Sequence, residues 1–123
     1  MDRIEKAVEY KHNGYNCCQA VLEAFSDELE LSEDQIRTLG SGFGIGMGCM
    51  EATCGALVGA NMILGLKNKT NKPTIPQSRQ LLNDFKAASG ATICKELKGI
   101  ESGKVLCECD DCVRNAVKLL LEK

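Results

Sequence analysis

Apolar residues along the 123-residue chain recur at helical rather than alternating spacing. Ile4, Ala7 and Val8 share one face of a helix predicted over residues 2–13, which Gly14 ends. A second helix is expected from Cys17 to about Leu29, with Asn16 as N-cap and Gln19 completing a capping box. Ser32 and Gln35 repeat that arrangement before a third helix from Glu33 to Gly40, and Leu31 and Ile36 are placed to clamp its start. The fourth helix, about Met50 to Lys67, is the most apolar and is expected to be central. On it Gly55 and Gly59 lie one turn apart, as do Ala56 and Ala60, so another backbone can come close, in the same chain or in a homodimer. Residues 67–74 read as a polar loop whose lysines are solvated. Thr74 and Gln77 outline the start of a fifth helix, Ile75 to Ser89, with Leu81, Leu82, Phe85 and Ala88 inward and Gly90 at its end. A short turn of helix covers Ile93 to Lys98 and stops at Gly99; residues 99–111 read as irregular. The last helix, Cys112 to Glu122, turns Val113, Ala116, Val117, Leu120 and Leu121 inward. The pattern predicts an all-α chain. It forms a single compact bundle of about five to six helices, in one domain over residues 1–123, with a glycine-rich loop before the central helix.

That loop, residues 40–48 (GSGFGIGMG), alternates Gly with Phe43, Ile45 and Met47, which in an extended conformation gives one apolar and one bare-backbone face. It fits no GxGxxG register, follows no strand and has no P-loop lysine, so nucleotide binding has little support. Tight packing of the loop into the core is one reading, and lining a metal or redox site is the other. Residues 40–66 carry a single charge, Glu51, but include eight glycines. The uninterrupted part, Ala52 to Leu66, is 15 residues with Asn61 inside, which suits a buried helix rather than a membrane span.

Charged residues at 26% and hydrophobic residues at 44% exclude disorder. A net charge of -2, 4% aromatics and no Trp offer nothing to nucleic acid or an anionic membrane. The opening MDRIEKAVEYKHN has charges throughout, so no signal peptide is expected and a cytoplasmic, thiol-reducing setting is.

Against that background eight cysteines stand out: Cys17, Cys18, Cys49, Cys54, Cys94, Cys107, Cys109 and Cys112. In a reducing compartment such a count points to metal binding or redox chemistry rather than disulfide staples. They form no paired CxxC ribbon, so any site must be assembled from distant segments. Cys17 follows the Asn16 cap, Cys112 follows Asp111, and Cys94 falls in a first turn that Thr92 can cap; helix starts favour a thiolate. Cys54 is expected about one turn into the central helix, in line with Val58 and Met62. Glu108, Asp110 and Asp111 act against thiolates in the last group. Cys109 and Cys112 make the one CxxC and hence a candidate dithiol. Cys18, Cys49, Cys107 and Cys109 read singly as small core residues or incidental thiols. His12, the one histidine, is placed for a helix C-terminus rather than for a catalytic base, and Glu51 reads as a helix-start carboxylate.

These segments together resemble the redox-active bacterial family named C_GCAxxG_C_C. Asn16-Cys17-Cys18-Gln19-Ala20-Val21 is similar to its NCxQAV segment, the glycines of residues 42–48 precede the signature, and Cys54-Gly55-Ala56-Leu57-Val58-Gly59 matches CGAxxG. Phe85, Gly90, Cys94, Leu97 and Gly99 fit the third cysteine's context, and Cys112, Val113 and Ala116 fit the fourth. The resemblance implies a mostly helical protein whose four characteristic cysteines are Cys17, Cys54, Cys94 and Cys112. It implies that these hold a prosthetic group, an iron–sulfur cluster by analogy with a related domain in split-Soret cytochromes. The implied role is electron transfer or an accessory role to an oxidoreductase partner. A thiol/disulfide redox protein and a structural zinc domain are the alternatives. No reaction is implied, and whether the chain is an enzyme stays open.

Overall fold

Side-chain caps set the first half of the fold. The computed structural model describes residues 2–123. Asp2 accepts the Glu5 amide at 2.8 Å and starts α1 (Arg3–His12). Asn16 accepts the Gln19 amide while the Gln19 side chain accepts the Asn16 amide, which fixes the start of α2 (Cys17–Ala24). Ser32 and Gln35 make the same reciprocal pair at α3 (Glu33–Gly40). The chain continues through α4 (Gly55–Lys67), α5 (Ile75–Ser89), α6 (Cys94–Lys98) and α7 (Cys109–Leu121). The fold is all-α, as the pattern predicts; a lone antiparallel bridge joins Thr53 to Ile93. No helix among the described residues is long and apolar enough to cross a membrane.

α2 and α4 form the centre. α1 and α3 lie on α2, α5 lies on α4, and α7 touches α1, α2, α4 and α5. Val21, Leu22, Ile36, Leu57, Ile63, Leu81, Phe85, Val113 and Val117 are buried between them, each large side chain contributing about 1.5–3 kcal/mol. Asn61 is polar within this core and is satisfied: Ser78 donates to its Oδ1 at 2.6 Å and its Nδ2 donates to Leu57 O at 3.0 Å.

Several expected boundaries move. The second helix stops at Ala24 and passes through a 3₁₀ turn, Ser26–Glu28, rather than reaching Leu29. The fourth starts at Gly55, not Met50, because Ile45, Met47 and Met50 hold positive φ (55°, 61° and 65°). Residues 46–50 therefore make a π-type turn instead of an extended run, and Ile45 and Met47 are exposed rather than packed as one apolar face. Glu51 is exposed ahead of α4 and starts no helix. Thr74 does not cap α5; its hydroxyl accepts Asn68 Nδ2 at 2.8 Å. The last helix begins three residues early, at Cys109. Ala88 and Leu121 are exposed, and Ser89 is buried, taking a 2.9 Å hydrogen bond from Asn115.

Candidate functional site

The CGAxxG signature is a packing device that carries a thiol. A Cβ on Gly59 would lie 2.8 Å from the Cys18 carbonyl oxygen, and one on Gly55 would lie 2.6 Å from that of Phe43 and 3.4 Å from the Cys18 amide. Without side chains at these positions α4 settles directly on the start of α2. The close approach is therefore within the chain, and it draws Cys54, the residue preceding α4, toward Cys17 at the start of α2.

A second device brings in Cys94. The bridge at Thr53 and Ile93 is flanked by Cys54 N donating to Thr92 O at 2.8 Å and Cys94 N donating to Ala52 O at 3.0 Å. Cys54 and Cys94 thus leave adjacent backbones side by side. The glycine-rich turn closes over them: a Cβ on Gly46 would sit 2.6 Å from that of Cys94. The same stretch folds on Asn16, the cap of α2, which donates to Gly40 O at 3.0 Å.

The third device delivers the C-terminal thiols. The amides of Leu106 and Cys107 both donate to Leu97 O, at 2.9 and 3.1 Å, so the loop after α6 folds back along it. α7 then starts with Cys109 hydrogen-bonded by Lys98 of α6. One turn later Cys112 reaches into the interior, its thiol 3.8 Å from Cys107 O. Outside, Arg114 bonds Glu5 at 2.9 and 3.1 Å, and Lys11 and His12 bond Asp110 at 3.2 and 2.8 Å, which pins α7 to α1.

Five thiols share one region as a result. Cys17 and Cys109 govern each other's ionisation, and so do Cys54 and Cys112. Cys94 lies within the electrostatic reach of Cys54, Cys109 and Lys98. Cys17, with Lys98 and Lys11 nearby, holds Cys109 down at about 5 against the cost of burial. Cys112 holds Cys54 at about 7, aided by the Ala56 and Leu57 amides and by Lys98. Each partner moves the other way: Cys17 is raised by Cys109 and then by burial, and Cys112 by Cys54 and then by burial. Cys94 is raised by burial, which outweighs Lys98. Burial opposes the charge on Lys98, yet its bond to Cys109 and the charges of Cys94 and Cys17 raise it on balance.

All four residues expected at the site, Cys17, Cys54, Cys94 and Cys112, stand in this one region. The helix-start argument for their chemistry needs correction. Cys112 is in the second half of α7's first turn rather than at its first position, and Cys17 is raised by Cys109, so neither is pushed toward the thiolate. Cys54 precedes α4 instead of lying a turn inside it, and Thr92 does not cap α6. The acidic neighbours do not suppress Cys109, because Asp110 is committed to Lys11 and His12. The CxxC thiols Cys109 and Cys112 face different partners rather than each other. Lys98 is the member that sequence spacing missed, and Cys109 was read as a dithiol partner of Cys112 rather than as a neighbour of Cys17; the available signal was its position immediately before the acid pair Asp110-Asp111 at a helix start. Of the rest, Cys18 is a core residue against Met62 at 3.9 Å, raised to about 12 by burial, Cys49 is exposed, and Cys107 is buried beside Cys112.

The donor set is all sulfur, which suits iron–sulfur clusters or zinc. Among the described residues no group of three or more His, Cys, Asp or Glu is gathered tightly enough to hold a metal ion.

No curated protein and no solved structure matches the chain. One family model does, described as "Putative redox-active protein (C_GCAxxG_C_C)", over residues 15–123, a stretch that contains every thiol of the site. The chain belongs to this redox-active family.

Proposed function

We propose that the protein binds an iron–sulfur cluster through Cys17, Cys54, Cys94 and Cys112, and acts in electron transfer or as an accessory to an oxidoreductase. One observation carries the reading: four cysteines spread over 96 positions of sequence are brought to one region by α2, the start of α4, α6 and α7, and three of them are buried. Membership of a redox-active family supports it. When bound, such a cluster supplies one-electron transfer.

The chain's own groups suit that task. Cys54, Cys94 and Cys112 are buried, so water is kept from the inner face of the site. Lys98 places one positive charge among thiolates, offsetting the negative charge that a thiolate-ligated cluster brings. Gly46 lets the turn lie on Cys94 and close one wall.

The test is iron and acid-labile sulfide analysis, with an absorption spectrum, on protein purified without oxygen. Iron with matching sulfide supports the reading. Zinc without sulfide replaces it with a structural metal site, and eight free thiols with no metal replace it with thiol chemistry.

A further inference from the structure

We propose that the cleft between α1 and the end of α2 binds a small organic compound through a primary ammonium group, with the Glu23 carboxylate as its counter-charge. A buried carboxyl without a partner carries this. Glu23 is 9% exposed, and its Oε2 is buried with no hydrogen-bond partner among the described residues. An ionised group so placed costs stability unless something supplies a charge and a donor. Burial accordingly raises Glu23 above the ordinary carboxylate range, and Glu33 adds to this.

Glu23 lines a cleft of about 290 Å³ with Arg3, Lys6, Tyr10 and Asp27. Lys6 and Tyr10 also border an adjoining cleft of about 540 Å³, which adds Tyr15, Glu33 and Arg37. Both arginines are committed elsewhere. Arg3 donates to Ala24 O and to Asp27, each at 2.6 Å. Arg37 pairs with Glu33 at 3.5 Å and lies 4.1 Å from the centre of the Tyr15 ring. The walls then select the ligand. With Asp27 bonded to Arg3, a metal ion would find one carboxylate, too few ligands to be held. An anion would be repelled by Glu23 itself. A primary ammonium brings one positive charge and three donors to a carboxylate, and it can lie on the Tyr10 ring. The adjoining cleft has room for the carbon body. Neither cleft is lined by a cysteine, so the inference stands apart from the iron–sulfur reading.

The chain has two tyrosines, both bordering the clefts, and no Trp, so tyrosine emission reports on this place. The experiment titrates the full-length chain, purified without oxygen, with ethylammonium chloride and with sodium chloride at equal ionic strength. The expected result is a saturating change with ethylammonium alone. Half-saturation should need about tenfold more or beyond in Glu23→Gln, as loss of a charged hydrogen bond requires. Lys6→Met, which removes the neighbouring ammonium and keeps most of its stem, should bind no more weakly. A response shared with sodium chloride, an unchanged response in Glu23→Gln, or weaker binding in Lys6→Met overturns the proposal. Urea denaturation at pH 7 without amine gives a second check. Glu23→Gln should be at least as stable as the unaltered chain, since it removes a buried charge that nothing pairs. A clear loss of stability would show that the carboxylate is already partnered within the chain, and would overturn the proposal as well.

Discussion

The inner thiol pair, Cys54 and Cys112, and the outer pair, Cys17 and Cys109, are the same chemical unit in two settings. The inner cysteines are 5% and 1% exposed and are bounded by helix ends and core side chains. The outer sulfurs are half-buried and lie beside Lys98 and Lys11. In both pairs one thiol is raised and the other is stabilised as thiolate, but the stabilised sulfur sits at about 7 inside and about 5 outside. The inner thiolate relies on backbone amides and a more distant Lys98; the outer one touches the ammonium directly. Identical side chains thus divide into a protected set suited to holding a group and an accessible one suited to reacting with reagents.

The most severe way to break this comparison is to separate the elements that make both pairs. Gly59→Ala puts a Cβ against the Cys18 carbonyl and is expected to cost about 1–3 kcal/mol, as overpacking does. Urea denaturation measures it, and thiol mapping should show both pairs loosened together; unchanged stability would mean that α2 and α4 do not depend on this approach.

A narrower cut should separate the pairs. Lys98→Met removes the ammonium from Cys109, so alkylation of Cys109 at pH 6 should slow by about tenfold or more, as loss of a contacting opposite charge requires. Cys54 should slow less, since Lys98 acts on it more weakly than Cys112 and the Ala56 and Leu57 amides do. Equal slowing of both thiols would erase the distinction.

The pairs also give the metal-free protein a pH signature. Cys109 at about 5 and Cys54 at about 7 lie below the 9.0 of an ordinary thiol, so over that range the unfolded chain binds protons that the fold does not. Their stabilisation is full above 9 and is lost as pH falls through 7 and then 5. Cys17 and Cys112 are displaced upward, so above 9.0 the fold keeps protons that the unfolded chain loses and stability declines. Denaturation midpoints across this range should therefore peak near pH 9, and a profile falling steadily from pH 5 would contradict the pairing. The smallest effect is expected at Gly42, where an added Cβ meets nothing: Gly42→Ala should stay within about 0.5 kcal/mol and leave every thiol's reactivity unchanged.

What the sequence disclosed followed the range of each interaction. Asn16 with Gln19 and Ser32 with Gln35 act over three residues, and both caps stand where their spacing puts them. The inward faces of α5 and α7 follow from periodicity apart from Ala88 and Leu121 near their ends. The starts of α4 and α7 did not read correctly. Asp111 has the composition of a cap but spends its side chain on Arg114, and Glu108, the actual N-cap, makes no side-chain bond that would mark it. The turn before α4 takes positive φ at Ile45, Met47 and Met50, and it lies so close to Cys94, almost fifty residues away, that position 46 has no room for a side chain. For the site, the four family cysteines were legible through their contexts. Cys109 was legible only as half of a CxxC; its place beside Lys98 was not, because their meeting depends on the fold-back of the Cys107 amide onto Leu97, and no local pattern encodes that.

The most direct test of the central claim, that four distant cysteines form one cluster-binding site, is iron and acid-labile sulfide per chain in a serine series purified without oxygen. The account predicts that Cys17→Ser, Cys54→Ser, Cys94→Ser and Cys112→Ser each lose both, while Cys49→Ser keeps both. Retention of iron and sulfide in any two of the four, or no iron in the unaltered chain, would contradict it.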